Sequence, residues 1–380
     1  MKRMKIVVTT LSLVLFTCGL VMAQTAKIGV LIPKSGPGGL FGPSSQNAAT
    51  LAAEQINARG GLAGQKIELL FGDVGVPPAE AVQTAMGLWK GMGVKAFIGM
   101  HDSAVREALI GRFAGQVPYI YTPVYEGGEC STSVFVVGET PDQQLKPVLP
   151  WISKKEKVSK WYLIGNDYNW PRDTNKAAKG YIAAAGGSVV GEEYLPFTVN
   201  EFDTSLQRIK SSGADAVLIT LVGGASVNFN RAFASFGMDK QAIRLGTLIE
   251  ENTLAGIGKG NSKRLYSSAA YFASLQTPSA KKLIAAYTKR FGNEAAVLNT
   301  LGQSTYEGLL LLEALAKKAG SLDAKALEKA AEGVSFSGPR GTATMHGKHV
   351  AQSIYVADGS SGTFEVIKSF DNVSPGNNCK

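Results

Sequence analysis

The chain is expected to be an α/β protein of two doubly wound lobes, on three observations. Short apolar runs alternate with longer amphipathic stretches, the pattern of parallel strands covered by helices on both faces. The strand–loop–helix unit starts twice, at residues 27–32 and again at 161–164. Beyond Phe272 long helices come first and short strands last, which fits lobes that exchange segments rather than domains in tandem.

In chain order, Lys2, Arg3 and Lys5 precede an apolar core at 6–20, and small residues at Val21 and Ala23 suit a signal peptidase. An export signal cleaved after Ala23 is expected; Phe16 and Thr17 fit poorly before a lipidated Cys18. No later apolar run approaches the ~18 residues of a membrane span, so the mature chain is expected to be soluble and outside the cytoplasm. Removing 23 of 380 residues leaves 357, a length for two domains. The signal's three basic residues lower the net charge from +9 to +6. Lysines are scattered along helices without a basic run, which argues against nucleic-acid binding. Cys130 and Cys379 survive processing, and an even count in an oxidising compartment predicts one disulfide.

Strands are expected at 27–32, 67–71, 96–99, 119–121, 134–137, 161–164, 188–194, 216–221 and 265–272, with two short ones at 353–356 and 363–367. Helices are expected at 44–58, 78–90, 103–114, 141–154, 171–185, 202–211, 225–236, 278–291, 299–318 and 324–331. Right-handed crossovers would put every strand-to-helix loop on one rim.

Those loops carry the candidate chemistry. Residues 33–42 hold four glycines, but Phe41 stands where a dinucleotide fingerprint needs its third glycine. Ser103 opens a helix after Met100, His101 and Asp102; it is either an ordinary cap or a receiver for a ligand oxygen. Tyr121, Thr122 and Tyr125 crowd the fourth loop with Glu126 and Glu129. Asn166, Tyr168 and Trp170 lie between a buried strand and Pro171, which suits a first helical turn. They either grip a small polar molecule or pad a lobe interface. Thr220 and Gly223 close a further strand in the same way, and Glu250 with Glu251 adds a carboxylate pair, Glu251 being read as a solvated helix start. His346 and His349 form H-x-x-H without a third ligand nearby, and a surface loop is expected for both. No G-x-S-x-G elbow, metal set or cofactor cradle is present in the sequence, so binding is expected rather than catalysis.

The stretches KIGVLIPKS at 27–35, Phe41-Gly42 and AAEQINARGGLAG at 52–64 resemble the opening of the type I periplasmic solute-binding proteins of amino-acid and amide ABC importers. YEGGECS at 125–131, GNDYNWPRDTN at 165–175 and YFASLQTPS at 271–279 resemble the subgroup that binds urea and short-chain amides. The resemblance implies two Rossmann-like lobes joined by a three-segment hinge, closing on a ligand in the cleft. It places residues 24–140 with about 275–341 in lobe one and 141–274 with about 342–380 in lobe two. It implies contacts from Ser103 and the 121–125 loop on one side and from Tyr168 and Glu250 on the other. The partners it implies are a small-molecule ligand and a membrane permease, with a monomer, no cofactor and a periplasmic location. Within the family a branched-chain amino-acid carrier is the alternative; a ligand sensor for a signalling receptor and a periplasmic hydrolase are the others.

Overall fold

The computed structural model describes residues 25–376. The expected signal peptide and Cys379 lie outside them. Five parallel strands, β1 (Thr25–Ile32), β2 (Lys66–Asp73), β3 (Ala96–Gly99), β4 (Tyr119–Tyr121) and β5 (Val134–Val136), form one half-sheet in the order β2-β1-β3-β4-β5. A second set, β6 (Lys160–Asn166), β7 (Ser188–Leu195), β8 (Ala216–Thr220), β9 (Ile243–Gly246) and β10 (Leu265–Ala269), repeats it as β7-β6-β8-β9-β10. Four later strands, β11 (Ser335–Gly338), β12 (Gly341–His346), β13 (His349–Asp358) and β14 (Glu365–Val373), add antiparallel pairings, with one parallel bridge from β13 to β5.

The helices are α1 (Gly42–Ala58), α2 (Pro78–Met86), α3 (Ser103–Phe113), α4 (Pro141–Gln144), α5 (Val148–Glu156), α6 (Asn169–Ala184), α7 (Asp203–Ser212), α8 (Gly223–Ser235), α9 (Glu251–Ile257), α10 (Pro278–Phe291), α11 (Thr300–Ala319) and α12 (Ala324–Ala330). Strands β1, β3, β6 and β8 are almost continuously buried, as parallel strands covered on both faces must be. Helix α11 is buried from Thr300 through Leu312 and packs against α1. Its Leu309–Leu312 run reads as core, not as an amphipathic stripe.

The alternation was legible, but four elements were not expected: β9, α9, β11 and β12. β9 hides because Arg244 sits in its middle. That guanidinium is buried, and it donates to the Asn230 side chain and backbone and to the carbonyls of Asn261 and Lys263. The single helix expected at 141–154 is two, because Pro147 cannot donate to the turn before it.

β13 belongs to both halves. His349–Ala351 pair with β12, and His349 with β5; Gln352–Asp358 pair with β14, and its later residues with β10. The pairing passes from the first half-sheet to the second inside β13, at Ala351–Gln352, and β12 joins the first half-sheet. The crossings between the half-sheets are tied together. Glu139 Oε1 accepts from the Ala270 N–H at 2.7 Å and from Thr300 Oγ1 at 3.3 Å. Gln143 Nε2 donates to the carbonyls of Val350 and Val373. Gln144 Nε2 donates to those of Thr247 and Ser268. The Thr140 hydroxyl donates to Pro375 O at 2.9 Å, so the tail returns to the first crossing. Cys130 is disulfide-bonded.

Candidate functional site

The strand-to-helix loops of the two half-sheets face each other and enclose a cavity of about 300 Å³. One wall is apolar and rigid: Pro33, Phe41, Val76, Pro77, Pro78 and Leu301. The facing wall carries Tyr168, Trp170, Phe197, Val222 and Leu248. Tyr168 stacks on Phe197 with ring centroids 4.8 Å apart and leans on Trp170 at 6.2 Å. The polar head of the cavity is the start of α3, where Met100, His101, Asp102, Ser103 and Ala104 line it with Tyr121. No lysine or arginine is among the lining residues.

Each head group has a defined partner. Asp102 caps α3, its carboxylate accepting from the Val105 N–H at 2.9 Å. Burial pushes its pKa up, against the N–H groups of Val105 and Ala104. Ser103 Oγ donates to Glu126 Oε2 at 2.5 Å. Glu126 Oε1 accepts from Arg106 at 2.6 Å, and Arg106 also binds Glu129. The guanidinium is only 5% exposed and lies over the rings of Tyr121 and Tyr125. Two carboxylates thus share one buried cation. His101 is sealed between the Asp102 carbonyl at 3.0 Å and Tyr119 Oη at 2.8 Å. Burial, with Arg106 adding to it, pushes its imidazole down to about 4, so it is neutral at pH 7. Its Nδ1–H then donates to the carbonyl and Nε2 accepts from Tyr119. The Tyr121 hydroxyl donates to the His101 carbonyl at 2.6 Å.

Of the expected contacts, Ser103, Tyr121, Tyr168 and Trp170 line the cavity. Tyr168 is half-buried, and burial, with Asp102 next, raises its phenol's pKa. The Trp170 indole N–H is buried without a protein partner. The others stand behind the lining. Thr122 donates to the Gly99 carbonyl. Tyr125 hydrogen-bonds His349, stacking on it at 5.7 Å. Asn166 holds the Val222 N–H at 2.8 Å, and Thr220 binds the Ile164 carbonyl and Asn175. Gly223 meets the opposite half directly: a Cβ there would sit 2.1 Å from the Pro37 carbonyl oxygen. Glu250 caps α9 through the N–H groups of Asn252 and Thr253 and takes Asn299 Nδ2 at 2.6 Å, so its carboxylate is saturated away from the cavity.

Two readings are corrected. His349 is buried at the crossing strand rather than in a surface loop, with its imidazole pushed down to about 4 by burial. Glu251 is not a solvated helix start. Burial and the neighbouring Glu250 push it up to about 8, and only the Ala273 N–H is bonded to it. The sequence gives no role to Arg106, and marks Glu126 and Asn169 as rim-loop residues without placing them among the contacts. Asn169 Nδ2 reaches across to Glu107 at 2.8 Å and Glu126 at 3.4 Å. The signal was the acid spacing in the YEGGEC stretch, facing an arginine one turn into α3. Among the described residues no cluster of His, Cys, Asp and Glu could hold a metal ion. No helix among them is long and apolar enough to cross a membrane.

Residues 25–363 match the periplasmic binding protein family. A relative is the Leu/Ile/Val-binding protein homolog 6 of Brucella melitensis, 26% identical over 97% of each chain. Among solved structures, a solute-binding protein of an ABC transporter from Rhodopseudomonas palustris HaA2, in complex with p-hydroxybenzoic acid, superposes with a TM-score of 0.84. It is 23% identical and covers 93% of this chain and 99% of its own. A branched-chain amino-acid transporter substrate-binding protein from Streptococcus pneumoniae, in complex with isoleucine, gives 0.80 at 21% identity, over 92% and 100%. Its sequence, its sheet order and its facing loops place this chain in the periplasmic binding protein family, whose members bind solutes rather than transform them.

Proposed function

We propose that the protein is the exported solute-binding component of an ABC importer, holding a small molecule with an apolar body between two lobes that close on it. The apolar lining carries this reading: proline, aromatic and aliphatic side chains surround a volume suited to one ring or one branched chain. Urea fits such walls poorly, since most of the apolar surface would stay uncovered. A short aromatic or branched amide covers it. Ligand touching both walls binds the closed arrangement more tightly and shifts the population toward it. The closed outer surface then docks on the membrane permease. Ser103, Tyr121, Tyr168 and Trp170 are the contacts we assign.

A branched-chain or aromatic carboxylic acid is the second reading. The Brucella relatives and the complexes with isoleucine and p-hydroxybenzoic acid favour it. A thermal-shift panel of benzamide, benzoate, p-hydroxybenzoate, isovaleramide, isoleucine and urea tests both. A ligand at one hundred times its dissociation constant adds about 2.7 kcal/mol of stability. Stabilisation by apolar-bodied compounds and none by urea is the expected result. A shift with urea alone overturns the reading.

A further inference from the structure

The head of the cavity is unusual in what its donors already hold. A carboxylate ligand would need the α3 N-terminus, the Ser103 hydroxyl and a cation. Asp102's own carboxylate takes the Val105 N–H of that helix, with the Ala104 N–H beside it. The one Ser103 proton goes to Glu126. The nearest guanidinium, Arg106, is divided between Glu126 and Glu129 and lies behind the lining. The side-chain donors at this end of the cavity are thus turned toward carboxylates of the protein itself.

What remains facing the cavity is mostly acceptor. Ser103 Oγ, having given its proton away, offers lone pairs, and Asp102 lines the same corner. Opposite them the donors are the Trp170 indole N–H, which has no protein partner on a residue 2% exposed, and the Tyr168 hydroxyl, both on residues that line the cavity. A head group that fits must therefore donate on one side and accept on the other. A primary amide does both. A carboxylate accepts only, and it would approach two buried carboxylates with no free cation among the lining residues.

We propose that Asp102 and Glu126 are the specificity-determining residues of the cavity, selecting an uncharged donor–acceptor head of the primary-amide class over the matching carboxylate. This rests on the reading of the cavity as a site for an apolar-bodied solute, and it adds the charge of the head group. Glu126 does a second task with the same atoms. Its Oε1 takes Asn169 from the opposite wall, so the residue that rejects an anion also touches the element that closes over the ligand. An anion that displaced Glu126 from Ser103 would disturb that cross-cavity contact.

The test is calorimetric titration of the intact protein with two matched pairs, benzamide against benzoate and isovaleramide against isovalerate. Within a pair, shape is nearly constant and charge is not. The native protein is expected to bind each amide at least tenfold tighter than its acid. Asp102→Asn keeps a good helix cap while removing the charge, and Glu126→Gln keeps an acceptor for Ser103. Each is expected to narrow the amide-to-acid ratio about tenfold or more, mainly by improving the acid. Equal or tighter acid binding by the native protein overturns the proposal. So does a ratio that neither substitution moves, or benzylammonium binding tighter than benzamide. The native ratio needs no variant, and Asp102→Asn stands if Glu126→Gln does not fold. If none of the four compounds binds, the apolar-solute reading falls and this proposal with it; binding with an unmoved ratio overturns the proposal alone.

Discussion

Two pairs of buried acids flank the cleft, and they are handled in opposite ways. Glu126 and Glu129 converge on one guanidinium, so each carboxylate has a charged donor. Glu250 and Glu251 have no cation. Glu250 is satisfied by neutral donors, the N–H groups of Asn252 and Thr253, the Thr253 hydroxyl and Asn299 Nδ2. Glu251 receives one N–H and is left with a bare oxygen. In the first pair a counter-charge works against desolvation: burial raises the Glu126 carboxyl, and the Arg106 guanidinium pulls it back down. The second avoids a double charge by holding a proton on Glu251. Burial alone does not decide what an acid does in this fold; the partner does.

The largest expected effect breaks the first pair. Arg106→Met leaves two carboxylates buried without their cation, and breaking such a pair costs about 3–5 kcal/mol. Urea denaturation of the variant against the native protein measures it; a loss below about 1 kcal/mol would mean the cluster is solvated after all.

The second pair is tested by pH. Glu251 titrates near 8 in the folded protein against an ordinary value of 4.5. The folded state therefore holds the proton more tightly than the unfolded chain. That contribution is fully present below about 4.5 and is lost as pH rises through about 8. Glu251→Gln should flatten this slope, so that its stability relative to the native protein grows between pH 5 and 9 by on the order of a few kcal/mol. Parallel stability profiles for the two proteins would refute the assignment.

A cavity residue should behave differently from either pair. Tyr168→Ala should cost on the order of 2 kcal/mol in ligand binding, roughly thirtyfold, and far less in folding. Normal binding with an earlier melt would make Tyr168 a packing residue. Smallest is Gly223→Ala. With φ at +52° and Pro37 O in the way, the added methyl opposes closure more than folding. About a tenfold loss of affinity with a melting temperature little changed without ligand is expected; unchanged affinity would show that the loops can part at no cost.

The strand–helix alternation was legible because buried parallel strands such as Leu163–Ile164 and Leu218–Ile219 are written as unbroken apolar runs. β9 was not, since Arg244 reads as surface until its partners, Asn230 of α8 and the Asn261 and Lys263 carbonyls, are seen together. At the site, Tyr168 and Trp170 announced themselves as aromatics in a loop after a strand. Glu250 misled for a physical reason: an acid at a predicted rim looks free, but its own helix start claims it. Arg106 and Glu126 are twenty residues apart, and the acid spacing of YEGGEC marks a site for a cation without naming which one fills it.

β13 is laced on both sides, to the first half-sheet through His349–Ala351 and to the second from Gln352 onward. Neither half can slide along it without unzipping a ladder. What is left is torsion about the strand's own axis over one or two peptide links, with the Gln143 amide bridging Val350 and Val373 like a clamp across the shaft. If the proposed closure occurs, its reverse would be a wringing motion rather than a shear. Its stiffness would be set away from the lining residues, by the ties of Glu139, Gln143 and Gln144 to the joining segments, so the grip could be loosened or tightened without altering any residue that lines the cavity.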